Sequence, residues 1–144
     1  EKFDFRPAGL LSAEARQEGK RKLANKHVEV GLKALREARL VEAEQAFAQA
    51  IKVDPTHHLA WYNLACTYIR LGKLEAAEET LSFAIKAGMR DLQHLAKDAD
   101  LDPLREREGF QALIRALEAD LANRERAPAQ EAPKQGAEPA PKSD

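Results

Sequence analysis

Between residues 24 and 91, large apolar and small side chains recur in an order that repeats after 34 residues. Sliding 24–57 onto 58–91 aligns seven identical pairs: Arg36/Arg70, Leu40/Leu74, Ala43/Ala77, Glu44/Glu78, Ala50/Ala84, Ile51/Ile85 and Lys52/Lys86. Local chemistry places helices near 25–38, 41–53, 57–71 and 74–87. Pro55 and Thr56 separate the two units, Gly72 suits the turn inside the second, and Gly88 suits a left-handed residue at its end. Ser12 is a candidate cap for an earlier helix running into the first unit, and its mostly polar residues 14–22 are expected to project into solvent. Farther on, Phe110, Leu113, Ile114, Leu117 and Leu121 form a helical apolar stripe, with Asp102-Pro103 read as the cap and first turn before it. No alternating Val/Ile/Thr run bounded by Asn-Gly or Asp-Gly is present, so nothing predicts strands. The fold class is all-α.

The second unit reads Trp61-x2-Leu64-Ala65-x2-Tyr68, then Ala77-x3-Leu81 and Ala84; the first reads Val30-Gly31, then Ala43-x3-Phe47, Ala50 and Pro55. This resembles the tetratricopeptide repeat. The resemblance implies stacked pairs of antiparallel helices, with Gly31 or Ala65, Ala43 or Ala77 and Ala50 or Ala84 where helices approach closely. Larger side chains fill the gaps between them. The chain departs from the family pattern at His27, Ala34 and Met89, which stand where Trp, Tyr and Pro are usual. A third unit does not follow: adding 34 to Trp61, Leu64 and Tyr68 gives Leu95, Asp98 and Asp102, and two acids cannot serve as core. The following block resembles the terminal module of many bacterial repeat proteins, and an apolar solenoid end physically requires such a cap. The expected organisation is an N-terminal segment over 1–23, partly extended and then helical, with repeats over 24–57 and 58–91. Capping helices over 92–126 and a Pro/Ala-rich tail over 127–144 complete it.

That tail holds four of the seven prolines and no large apolar residue, so it is expected to be disordered. The full chain has 144 residues, enough for one domain, and a net charge of −1, which exerts no global pull toward nucleic acid. Residues 1–39 are nonetheless basic, with ten Lys/Arg against six Asp/Glu. Their Lys20-Arg21-Lys22 cluster reads as a solvated helix face. No apolar run approaches the ~20 residues of a membrane span. The Ala/Pro/Lys-rich tail, with Glu rather than Met at residue 1, leans toward a bacterial cell envelope or periplasm over the cytoplasm.

Catalytic and metal-binding motifs are missing. Cys66 is the sole cysteine, so no internal disulfide or CxxC site exists, and His27, His57, His58 and His94 lack ligand spacing. Asp98, Asp100 and Asp102 have the alternation of a calcium loop, but its glycine is missing and Gly109 stands where the closing Glu belongs. Helix capping accounts for these acids better. The expectation is a non-enzymatic chain that needs no cofactor.

Carried over from the family, the concave surface would be lined by Asn25, Val28, Leu32, Leu35 and Arg36 in the first unit. In the second it would be lined by Leu59, Tyr62, Cys66, Ile69 and Arg70, with Asn63 positioned to reach a ligand's backbone. Most are apolar, and such a patch calls for an occupant. A peptide or amphipathic helix of another protein is the expected partner. The alternative is a structural or assembly subunit whose groove is filled in a homo-oligomer or by its own segments. Those are helix 110–121, or Phe3-Asp4-Phe5-Arg6-Pro7 with Leu10 and Leu11. Val28 and Leu32 replace the Lys and Asn that a clamp for acidic C-termini needs, which disfavours that specialised function.

Overall fold

The computed structural model describes residues 12–126, so the expected disordered tail and residues 1–11 lie outside the described residues. The elements are α1 (Ala13–Arg36), α2 (Leu40–Val53), α3 (His58–Arg70), α4 (Leu74–Lys86), α5 (Leu92–Lys97), a 3-10 helix (Ala99–Leu104) and α6 (Glu108–Arg126). The described residues contain no strand. α1 pairs with α2, α3 pairs with α4, and α2 joins the pairs by packing on α3.

α1 is one continuous helix, with the Ser12 hydroxyl accepting the Ala15 N–H at 3.0 Å as its cap. Its first eleven residues, Ala13 to Leu23, are exposed. The turns inside both pairs share one geometry, 34 residues apart. The Arg39 N–H donates to the Ala34 carbonyl and the Lys73 N–H to the Tyr68 carbonyl, each at 2.8 Å. A left-handed residue precedes each donor, and Met89 N–H to the Ala84 carbonyl repeats the motif after α4. Gly72 and Gly88 supply that conformation without strain, whereas the first turn uses Ala38 at φ 59°.

Each pair is closed by a small residue against a large one. A Cβ on Gly31 would lie 2.6 Å from the Phe47 ring, so this glycine is what lets the α1 backbone reach that ring. In the second pair Ala65 and Leu81 occupy the corresponding places, both fully buried in one cluster. The pairs have therefore exchanged volume across the contact, Gly with Phe in one and Ala with Leu in the other.

The joint between the pairs is held by the cap of α3. The His57 ring accepts the Ala60 N–H on Nδ1 at 3.2 Å, and its Nε2 lies 2.7 Å from Asn25 Oδ1 on α1. Only the neutral Nε2–H tautomer satisfies both contacts. Burial holds this ring below its ordinary value of 6.5, with His58 and Arg21 adding to the shift and Asp54 opposing it.

After α4 the chain abandons the repeat. α5 starts where a third first-helix would start, but stops after six residues at Asp98, whose carboxylate accepts the Asp100 N–H and caps the 3-10 helix. Asp102-Pro103 falls inside that 3-10 helix and does not open α6, which begins at Glu108. This corrects the expectation from sequence: Asp102 instead accepts from Arg105 Nε at 2.9 Å, and Arg105 also donates to the Leu95 and Asp98 carbonyls. Leu95, Leu101 and Leu104 are fully buried over the second pair, and α6 packs along α4.

Unfolding experiments can read each of these contacts. Gly31→Ala gains about 1 kcal/mol of helix propensity but overpacks the Phe47 contact by about 1–3 kcal/mol, a net loss. Adding Phe47→Leu recreates the second pair's contact and recovers most of that loss; simple additivity in a double-mutant cycle refutes the volume exchange. Ala38→Gly raises stability by about 1 kcal/mol by relieving the left-handed alanine, read as a higher denaturation midpoint. Protonating His57 places a proton on Nδ1 against the Ala60 N–H, so the folded form binds that proton less readily than the unfolded one. The cap's stabilisation, about 1 kcal/mol, is therefore present above pH ~6.5 and lost as pH falls below it. His57→Asn keeps a capping oxygen that does not titrate, and should flatten the stability–pH curve in that window relative to wild type.

Candidate protein-binding surface

α1 and α3, the first helices of their pairs, meet along one seam. The His57–Asn25 contact marks its beginning, and near its end Arg70 Nη1 lies 3.4 Å from the Leu35 carbonyl oxygen. At 1.5 Å per residue, the eleven steps from Asn25 to Arg36 cover about 16 Å of helix. A depression of about 240 Å³ lies beside the first contact, lined by Arg21, Asn25, Asp54, Thr56, both histidines and Leu59. A second, of about 430 Å³, is lined by Leu32, Leu35, Arg36 and Arg70.

The eleven residues expected to line an open groove divide sharply by exposure. Val28, Leu35, Tyr62, Cys66 and Ile69 are each 8% exposed or less, contrary to the open apolar patch expected from the sequence. The physical reason differs between the units. Val28 and Leu35 belong to the core of the first pair, packed with Ala24, Phe47 and Leu64. Tyr62, Cys66 and Ile69 share a cluster with Leu95, Leu101 and Leu104 of the C-terminal module, which packs on the face that a groove would expose. Asn63 is half-buried and donates its amide to the Leu59 carbonyl of its own helix at 2.9 Å. Asn25, Arg36, Leu59 and Arg70 remain exposed and Leu32 is half-buried, so the accessible face is a narrow mixed strip.

Polar contacts tie the covering module down. The Tyr62 hydroxyl donates to Asp98 Oδ2, His94 Nε2 lies 3.4 Å from the same carboxylate, and Arg70 Nη2 lies 3.5 Å from Asp100 Oδ2. Burial raises the Cys66 thiol to about 12, with Asp98 and Asp100 adding to the effect. It also raises the Tyr62 hydroxyl well above its ordinary value, reinforced by the bond to Asp98. Both groups stay protonated at neutral pH, so neither is an activated nucleophile. The ligand atoms of Cys66, Asp98 and Asp100 lie within 4.8 Å of one another. Both Asp98 oxygens, however, already accept protein hydrogen bonds. That donor set is spent on holding the module.

Sequence reasoning marked Asp98 as unfit for a third repeat but did not find its partners. Tyr62 lies 36 residues away and Arg70 lies 30 residues before Asp100, spacings that match no period of the repeat.

A tetratricopeptide repeat model matches residues 46–79, one repeat length running from the second half of α2 through α3 into α4. A chloroplastic protein of Arabidopsis thaliana is 29% identical over 101 residues, covering 68% of this chain and 30% of its own length. The human DnaJ homolog subfamily C member 3 is 34% identical over 64 residues, covering 44% of this chain and 13% of its own length. The chain thus spans less than a third of the curated relatives it matches, and no solved structure matches it. With the 34-residue internal repeat, two helix pairs joined in register and the family match across their junction, this chain is a tetratricopeptide-repeat protein.

Proposed function

We propose that the chain is a non-catalytic adaptor that holds a peptide or amphipathic helix of another protein along the α1–α3 seam. The observation that carries this is the open strip itself: Leu32 and Leu59 stand accessible beside Arg36 and Arg70, with a depression at each end of the seam. About 16 Å suits three turns of a helix or five extended residues. Apolar side chains of the ligand would enter the depressions while the two arginines meet carboxylates or backbone carbonyls at the rim. No described helix is long and apolar enough to cross a membrane.

A second reading, an assembly subunit with a filled groove, is favoured by one observation. The C-terminal module already covers Tyr62, Cys66 and Ile69, half of the expected groove in the second unit. On this reading the remaining strip is an assembly surface.

Leu32→Glu combined with Leu59→Glu separates the two readings, with Leu59→Glu alone, at the exposed position, as the variant that leaves the core untouched. Tyr62 is unsuitable for this purpose, since a charge there unfolds the covered core. For the adaptor, wild type is monomeric in light scattering at two concentrations and the double variant weakens partner capture at least ~10-fold with helicity unchanged. A wild-type oligomer that the double variant dissociates favours the assembly subunit. Capture unaffected by the double variant refutes the seam as the binding surface.

A further inference from the structure

The two repeats present the same helix face to different surroundings. In α3 that face carries Ala60 and Leu64, 0% and 5% exposed, buried against α2 with Phe47 and Ala50. Thirty-four residues earlier, Lys26 and Val30 hold the same places on α1. Val30 is 59% exposed and Leu23, one heptad before it, is 47% exposed. The side of α1 that a preceding helix would cover is bare among the described residues.

Its chemistry is specific. Lys20, Leu23, His27 and Val30 follow one another at spacings of three and four, so they share one face of the helix, with His27 half-buried on it. Lys26 and Lys33 flank that stripe, three residues after Leu23 and Val30 respectively. Over its length α1 carries seven Lys/Arg against three acids, although the whole chain has net charge −1. The three acids, Glu14, Glu18 and Glu29, fall outside the stripe. The exposed start of α1 lengthens the platform well beyond the fourteen residues of α2, the helix that covers the equivalent face of α3.

We infer that this face of α1 docks an acidic amphipathic helix of a partner protein, laid where the second helix of a preceding repeat would lie. Apolar residues of the partner would cover Leu23 and Val30, while its carboxylates meet Lys20 and Lys26. Charge argues against the other occupants. A second copy would set α1's own basic stripe against itself, which is unfavourable for directly opposed helices. Residues 1–11 carry two acids and two bases, hence no net charge, and include Pro7. The tail 127–144 has no large apolar residue to cover Leu23 or Val30. This face lies apart from the α1–α3 seam, and the inference does not depend on the function assigned to that seam.

The test uses the full chain and a fluorescent synthetic helix of about 20 residues, with a leucine stripe flanked by glutamates. A control helix has lysines in place of the glutamates. The expected result is saturable binding of the acidic helix alone, weakened by salt, with amide shifts in α1 centred on residues 20–34. Leu23→Glu with Val30→Glu, or Lys20→Glu with Lys26→Glu, should weaken it at least ~10-fold, and the seam variant Leu32→Glu should leave it unchanged. All four α1 positions are exposed, so these variants retain the fold, checked by circular dichroism. Absence of saturable binding, equal binding of the lysine helix, or shifts confined to the seam overturns the inference. So does a wild-type dimer that Val30→Glu dissociates, which identifies a second copy as the occupant. Adsorption to phosphatidylcholine vesicles with about one-quarter phosphatidylserine, without binding of the acidic helix, overturns it in favour of a membrane surface.

Discussion

The contact on which the structure depends is the close approach of the two helices within each pair. Helix axes can come together only where one backbone presents almost no side chain, and a ring or branched chain from the other then fills the space. Gly31 under Phe47 meets that condition in the first pair, and a Cβ at this position would collide with the ring. Ala65 with Leu81 meets it in the second, with less volume on one side and more on the other. Because the sum of volumes is held while the partition changes, both pairs pack alike, and α2 can present a matching surface to α3. The identical turn geometry, with Arg39 and Lys73 donating to carbonyls five residues back, follows from the same requirement. Two helices packed this closely leave room for only one short way round.

The C-terminal module shows what happens when the repeat is stopped. A third first-helix would have continued the stack and lengthened the concave surface. Asp98 instead ends α5 after six residues, and the chain turns through a 3-10 helix whose Leu101 and Leu104 are driven into the second pair. The buried leucines supply the hydrophobic gain, about 1.5–3 kcal/mol for each side chain fully removed from water. Asp98 and Arg105 give direction, since they fix the loop by side-chain hydrogen bonds to its backbone. Closing this end of the solenoid also closes the face of α3 around Tyr62 and Cys66.

The helix pairs were legible in the sequence because their determinants repeat. Residues at a fixed offset identify each other, and Gly72, Gly88 and Pro55 mark the helix ends through backbone constraints that act locally. Expected boundaries near 41–53 and 74–87 differ from Leu40–Val53 and Leu74–Lys86 by one residue at most. The groove was less legible. Family positions locate which residues face inward, but not what lies over them, and the cover comes from a segment that obeys no period. Tyr62 and Cys66 read as groove lining because nothing local to them announces Asp98. Asp102-Pro103 misled for a related reason: the pair lies inside a 3-10 helix that Asp98 already caps, and the Asp102 carboxylate is taken by Arg105, a partner that no local capping rule announces.

The two ends of the solenoid are therefore finished in opposite ways. At the C-terminal end the apolar face of α3 is buried by a module held down by polar contacts. At the other end, the structural equivalent of Leu64 stands in water as Val30, and the equivalent of buried Ala60 is a lysine. Substitution of lysine at a position that the repeat elsewhere buries completely is not what an internal packing surface tolerates. It is compatible with a face that is solvated in the free chain and covered by a helix bearing the opposite charge. The same replacement explains how Val30 and Leu23 remain exposed without a larger apolar patch around them: the flanking lysines keep the stripe narrow and hydrated. Pseudo-symmetry alone would call for an apolar helix on this face. The charges turn that general requirement into a selective one, for a partner that is acidic as well as amphipathic.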